Sequence, residues 1–562
     1  MDFVANSMQR ALGYTLFGSD TDNSLTGKTL YTHSILVGQD VLVKQIGTSL
    51  FFYDDTDNAW YLLTDATFTT GLRWSFATFN GYLYGDDGVD NWIFWHGSAR
   101  STLNGDILAG ATSITLATGQ GARFDASGDV MIENDKITYG SIVGDVLTTC
   151  SGVSSNHSSG KTVVQKLDST TYSGLTKARQ IAFFRNRLYA VDYATPNFLR
   201  HSKLADNTNP ETDIINFTVA GSGTGDAGFG IAPDEIVSIK PIITGNQTSV
   251  LAVLCKDGVV YAFVVTDGAS TTTNTFIPMR TMNSYPAAPH LVCVAENDLV
   301  FIDQHGSFRT LSQGDVNTAV QVTLLSDAIK PSLDAMDFSD GAIKYHNRKL
   351  YGTGMSPDAS SNDLTFYRDA TYGSWGAYSH WDVIDYAIYN DELMALSAVT
   401  GEVWKLNDGY NANDLTYYSE MVTRDQDFGL ALQYKSGLKV RMAGFITSNC
   451  PAYIDFFFDN SASPLTYLIS GDSTDIVGNE PNVAVGSVVF GSGVMGGGLP
   501  GGVVRRDFIA ELLFNDIQTF FKFSMRIRID SQDVDFELTD AVVYAREESE
   551  ELWLPAQTLA VN

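Results

Sequence analysis

Along most of this chain short apolar runs alternate with polar turns on a period of two, the pattern of strands with one buried face. One phrase returns with variation: a polar turn, an apolar pair, then alternating residues. It reads GTSLFFYDD at Leu50, NGYLYGDD at Leu83, RNRLYAVDY at Leu188 and KDGVVYAFVV at Val259. It returns as ENDLVFIDQHG at Leu299, NRKLYGTG at Leu350 and NDELMALSAVTGEVWKL at Leu393. The later steps are each about 40 to 50 residues, the spacing of propeller blades. Each phrase suits a hairpin. DLTFYRDATYGSWGAYS adds a second hairpin between Asp369 and Gly373, and SAVTGEVWKLNDG another at Thr400 and Gly401. The pattern predicts an all-β chain built on a β-propeller of six or seven blades.

Two regions break the pattern. Residues 98–167 carry short alternating strands (SITL from Ser113, VMI from Val130, KITY from Lys136) and interrupt the repeat, as a small Ig-like or barrel-like β module inserted in a blade loop would. After about Asn413 the strands lengthen to YIDFFFDN, FIAELLF and FFKFSMRIRID around the glycine-rich VVFGSGVMGGGLPGGVV, which predicts a C-terminal β-sandwich or jelly-roll-like domain. The predicted organisation is an N-terminal segment over 1–40, propeller over 41–97, inserted module over 98–167, propeller again over 168–412, sandwich over 413–546 and a tail over 547–562.

Composition agrees with strands. The 32 Phe, 26 Tyr and 8 Trp, with 50 Gly and only 14 Pro, favour pleated sheets and tight turns. The net charge of −30 argues against stable nucleic-acid binding but not against a wall past which DNA slides. Cys150, Cys255, Cys293 and Cys450 lack any CxxC spacing and are expected as free buried thiols made in a reducing compartment. The first twenty residues show no basic start followed by an apolar run, so no signal peptide is expected. No apolar run approaches the roughly 18 residues of a membrane-spanning helix.

Candidate chemistry is sparse. Gly223-x-Gly225-x-x-Gly228 has the spacing of a dinucleotide fingerprint, but Pro233 and β-like alternation follow where a helix is needed. Asp427-Phe428-Gly429 lacks every companion of the kinase magnesium motif. DATYGSW misses the Asp-box spacing of sialidase-like propellers, and no carboxylate pair stands out as a glycosidase would require. The eight histidines show no ligand spacing and are expected at the surface or in turns. DDTDNAW and DDGVDNW fall short of a calcium loop. No metal, no cofactor and no catalytic residue is expected, and the chain is not expected to be an enzyme.

A family resemblance rests on phrases in a shared order. RNRLYAVDYATPNFLRHSKLADNTNPET, followed by a Gly/Asp loop and DEIVSIKPI, resembles the tail β-propeller proteins of bacteriophages, the tail nozzle or hub of short-tailed phages. The matched positions are Arg187, Leu188 and Tyr189, then Asn197, Ser202, Leu204 and Asp206, then Asp234, Glu235 and Ile236, with Pro233 where the family has Gly. HLVCVAENDLVFIDQHGSFRTLS, LLSDAIKPSLD, TFYRDATYGSW, RDQDFGLALQYK and FGSGVMGGG continue the likeness. The inserted segment resembles small β modules of phage structural proteins at Ile132, Glu133, Ile137, Tyr139, Cys150, His157, Gly160 and Val163, with Ser151-Gly152 where that pattern has Arg-Gly.

The resemblance implies a structural virion protein of the tail, assembled in the host cytoplasm, that lines or closes the DNA-ejection channel. It implies a homo-oligomeric, hexameric ring, with a tail adaptor and tail fibres or spikes as neighbours and genomic double-stranded DNA passing through. Candidate gate loops are the glycine-bearing stretches around Gly221, Gly223, Gly225 and Gly228 and around Gly493, Gly496, Gly497 and Gly498. The alternatives are a host-binding adhesin, with Trp60, Trp92 and Trp95 stacking on sugar, and a propeller glycoside hydrolase.

Overall fold

The computed structural model describes residues 2–4, 7–9, 13–19, 25–36, 39–97, 99–170, 175, 177–205, 214–218, 226–243, 249–267, 272–281, 284–296, 298–311, 322–379, 381–408, 419–423, 435–448, 450–459, 463–471, 477–478, 487–490, 505–520, 522–529, 531, 534–547 and 557–558. These form two compact units. One holds Phe17–Arg368 and Ala377–Trp404; the other holds Met1–Leu16, Asp369–Gly376 and Lys405–Asn562.

Seven four-stranded antiparallel sheets make the propeller. Their first strands are Gly27–Leu36, Ser75–Phe79, Ala178–Phe184, Ile236–Ile243, Val292–Ala295, Asp337–His346 and Val383–Tyr389. Each of these touches the first strand of the next sheet, and the seventh touches the first, so they close an inner ring. The chain is an all-β protein with a seven-bladed propeller.

The hairpins explain the repeated phrase. Between the first two strands of blades two, three, six and seven, two consecutive residues take positive φ: Asn80 and Gly81, Arg185 and Asn186, Asn347 and Arg348, Asn390 and Asp391. A two-residue turn of this hand matches the strand twist, which is why Asn and Gly recur there. The leucine that follows each turn (Leu83, Leu188, Leu350, Leu393) is at most 4% exposed, and Leu299 holds the same place in blade five. Leu50 and Val259 belong elsewhere. They lie in the third strands of blades one and four, Ser49–Asp54 and Val259–Asp267, so the sequence phrase mixed two kinds of hairpin and its spacing drifted. Blade one also starts earlier than the pattern suggested, at Gly27 within the expected N-terminal segment.

The inserted segment lies inside blade two, between its third strand Trp92–His96 and its fourth strand Asp168–Thr170. It folds as a sheet of Arg100–Thr102, Thr162–Gln165, Gly128–Ile132 and Asp135–Tyr139 and a smaller one of Ser113–Thr115, Val146–Thr148 and Ser141–Val143. Ile114, Leu116, Val130, Ile132, Ile137 and Leu147, each fully buried, fill a core of its own.

The second unit is a two-sheet sandwich. Its larger sheet runs Asp2–Val4, Ser7–Gln9, Phe536–Glu547, Lys435–Thr447, Arg505–Phe520, Ser487–Phe490. The other runs Ser419–Val422, Phe523–Ile529, Pro451–Phe458, Leu465–Ser470, Val477–Gly478. Val440, Met442, Phe508 and Phe536 from the first meet Ile454, Phe456, Tyr467 and Met525 from the second in one dry core.

Candidate functional site

Of the eight gate candidates only Gly228 is described; Gly221, Gly223, Gly225, Gly493, Gly496, Gly497 and Gly498 lie outside the described residues, as does Asp427-Phe428-Gly429. Gly228 opens the fourth strand of blade three, Gly228–Ile231, and is buried. A Cβ there would stand 2.8 Å from Nε2 of His201, so close packing on that ring explains the glycine. The preceding strand, Phe198–His201, belongs to the same blade. The glycine stretch therefore lies between the third and fourth strands of one blade.

Trp60, Trp92 and Trp95 are 7%, 0% and 1% exposed, so they pack inside the blades and offer no open face for the sugar stacking of the adhesin alternative. Trp95 donates its indole N–H to the Gln165 carbonyl at 2.9 Å and Trp60 donates to the Phe17 carbonyl at 3.3 Å. Three histidines expected at the surface or in turns are also buried: His33, His157 and His201. Desolvation holds His33 neutral, down to about 3, while its Nδ1 pairs with Thr78 at 3.0 Å. His201 pairs through Nε2 with the Asn274 side chain at 3.0 Å and lies beside Arg187.

The acidic turns close hairpins. The Asp54 carboxylate accepts from Thr56 N–H at 2.9 Å, Asp192 from Ala194 at 3.0 Å, Asp303 from His305 and Ser307 at 2.9 Å each, and Asp369 from Thr371 at 2.7 Å. Such turns satisfy backbone donors where a strand reverses. Asp86 does the same for Gly88 at 2.6 Å, but it is fully buried and its second oxygen has no partner. Desolvation pushes it up to about 7.

The inserted module carries the densest polar cluster. His157 is 3% exposed, with Nδ1 2.7 Å from Oε2 of Glu133 and Nε2 3.0 Å from Oδ2 of Asp135. Both ring nitrogens face carboxylates, so the one ring ties Glu133 to Asp135. Lys161 extends the cluster, 3.0 Å from Glu133 and 3.4 Å from Asp57 in a turn of blade one. Lys136 and Lys166 reach Asp65 of the same blade at 3.3 and 2.7 Å. Beneath these ion pairs Met131, Val164 and Leu167 pack into the apolar layer of Phe52, Ile93 and Trp95, so the module is seated on blades one and two.

Arg73, which the sequence pattern did not single out, links three blades by hydrogen bonds. It precedes the first strand of blade two, yet its Nη2 donates to the carbonyls of Asp340 at 2.7 Å and Gly341 at 3.0 Å in blade six and of Ile384 at 2.8 Å in blade seven.

Among the described residues no three His, Cys, Asp or Glu side chains are grouped to hold a metal, and no helix is long and apolar enough to cross a membrane. The four cysteines are buried thiols, none of them in a disulfide. No protein-family model matches the chain, and no curated protein is similar to it. Among solved structures, the computationally designed protein Ika8 is similar over 70% of this chain and 99% of its own, at 10% identity and a TM-score of 0.34. The Cps50 (Swd1) β-propeller domain of Myceliophteria thermophila is similar over the same shares, at 8% identity and a TM-score of 0.34. Likeness at this level adds nothing to what the seven sheets themselves establish.

Proposed function

We propose that this chain is a structural protein of a bacteriophage tail, a nozzle or hub that lines or closes the channel through which the genome leaves. The observation that carries the reading is where the resembling phrases fall. RNRLYAVDY is the inner hairpin of blade three, ENDLVFIDQHGSFRTL spans the second and third strands of blade five, and SDAIKPSLD is the short helical link into blade six. TFYRDATYGSW is the outer hairpin of blade six. The likeness therefore follows architectural landmarks in order. Glu133 and His157, two positions of the module pattern, meet in its buried ion cluster.

The acidic balance supports a channel wall rather than a DNA grip. At a net charge of −30 each copy repels phosphate, and a ring of copies would let a duplex pass without counterion-releasing contacts. Such a protein carries no catalysis of its own. Imaging the particle that contains this chain tests the reading: a six-fold ring on the tail axis below an adaptor is expected. A purified protein that stays monomeric alone and with the adaptor ring counts against it. Binding to isolated cell-wall glycan instead would favour the adhesin.

A further inference from the structure

Three blades share a device that one of them leaves incomplete. The second strands of blades two, three and five, Tyr82–Asp86, Arg187–Asp192 and Asp298–Ile302, each run into an aspartate: Asp86, Asp192 and Asp303. In every case one carboxylate oxygen accepts N–H groups of the turn that follows. In blades three and five the other oxygen accepts the Nε–H of an arginine on the third strand, Arg200 at 2.7 Å from Asp192 and Arg309 against Asp303. Both arginines hold one register. Each lies opposite the residue two before its aspartate, Arg200 opposite Ala190 and Arg309 opposite Phe301. The corresponding pair in blade two is Tyr84 and Phe94. Phe94 stacks on the Tyr82 ring with 4.7 Å between centroids, so a hydrocarbon stands where the other blades carry a guanidinium. Of these three aspartates only Asp86 has its second oxygen buried with no partner.

The turn that Asp86 holds packs on blade three. A Cβ on Gly88 would stand 2.6 Å from the Tyr193 ring and 3.5 Å from the Ala178 carbonyl, and the Lys177 ammonium donates to the Asp90 carbonyl. The charged groups around Asp86 are otherwise engaged or of its own sign. Asp87 accepts from the N–H groups of Val89 and Asp90 at 2.9 and 2.7 Å, and Asp90 from that of Thr69 at 2.5 Å. Across the seam Arg179 pairs with Glu235 at 2.7 Å, and Arg200 with Asp192. A carboxylate sealed from water without a counter-charge is costly, whereas the neutral acid is tolerated. Burial, reinforced by Asp87 and opposed by Lys177, is why the Asp86 carboxyl titrates at about 7.

We propose that the seam between blades two and three is a pH-sensitive latch, closed while Asp86 is uncharged and opened when its ionisation draws the turn 86–90 away from blade three. The equivalent turns of blades three and five keep their arginines and do not respond. An open turn gives up its proton at the ordinary carboxylic value and a closed one only near 7, so opening grows easier between those values and no easier above. The inference does not depend on the tail assignment.

The test is amide hydrogen exchange on the full chain, expressed as protection factors so that the pH dependence of the chemical step drops out. Protection of Gly88, Val89 and Asp90 should fall on the order of 100-fold between about pH 5 and about pH 8. Ala194, Thr195, His305 and Ser307, which donate to Asp192 and Asp303 in the equivalent turns, should hold theirs. Asp86→Asn should flatten the blade-two response, and so should Phe94→Arg, which supplies the missing guanidinium. Equal pH dependence in all three turns, or a response that persists in Asp86→Asn, overturns the proposal. Should the variants fail to fold, the wild-type comparison of the three turns decides alone.

Discussion

Lys44 is the least expected residue of the fold. It lies in the apolar strand Gln39–Ile46 with no exposed surface, donates to the Gly401 carbonyl of blade seven at 3.1 Å, and stands 4.4 Å from the Trp60 ring. A buried ammonium is tolerated where a carbonyl and an aromatic face replace water. Lys44→Met keeps the stem but loses both contacts, and should cost about 1–3 kcal/mol in a denaturant titration; Lys44→Ala should cost more because a cavity is added. Asp86 gives a prediction with a sign. Its folded value of about 7 lies above the ordinary 3.8, so between those values the fold holds a proton that the unfolded chain has released. Stability should therefore fall as pH rises from about 4 to about 7 and level off above. Between pH 5 and 8 the wild type should lose on the order of 2 kcal/mol relative to Asp86→Asn, measured as the difference between their unfolding curves.

At the scale of elements, the inner hairpins were legible because a turn of two positive-φ residues admits few sequences, and Asn80-Gly81 or Asn390-Asp391 announce it. The blade count was less so, because Leu50 and Val259 follow turns of the next hairpin outward and look the same on a period of two. The polar contacts were hidden for another reason: Arg73 binds carbonyls of distant blades, and no local spacing encodes a meeting across the ring. The module's cluster was half visible, since Glu133 and His157 were marked as pattern positions while their pairing was not. His157→Ala should leave Glu133 and Asp135 facing a void and cost about 3 kcal/mol. Hydrogen exchange should show the loss of protection confined to the inserted module, with the seven blades unchanged; protection lost evenly across the propeller would contradict this independence.

For the whole propeller, closure depends on a short stretch of chain. Phe17 N–H donates to the Val403 carbonyl of blade seven at 2.8 Å, and Ser19 N–H to the Asn58 carbonyl of blade one at the same distance. The Phe17 ring packs 4.5 Å from Tyr53 and 5.8 Å from Tyr389, one in each blade. Phe17→Ala should cost roughly 2–4 kcal/mol and lower a single cooperative transition rather than split it, as calorimetry would show. A separate early transition would mean that blades seven and one are held by something other than this contact.

The insertion in blade two has a bearing on how the molecule is made. Ser101 pairs with Val163, so the two ends of the module meet in one antiparallel ladder and leave side by side. To the blade, some seventy residues weigh no more in loop-closure entropy than an ordinary tight turn once the module has folded. On the ribosome, the third strand of that blade emerges long before its fourth, and the module, with a core of its own, can collapse in the interval. It would then present the fourth strand already aligned, a splint set during synthesis. A compact domain whose ends meet at the same spacing could take its place if it also covered the apolar layer that Met131 and Val164 now fill on blades one and two, which makes this seam the natural point for exchanging parts.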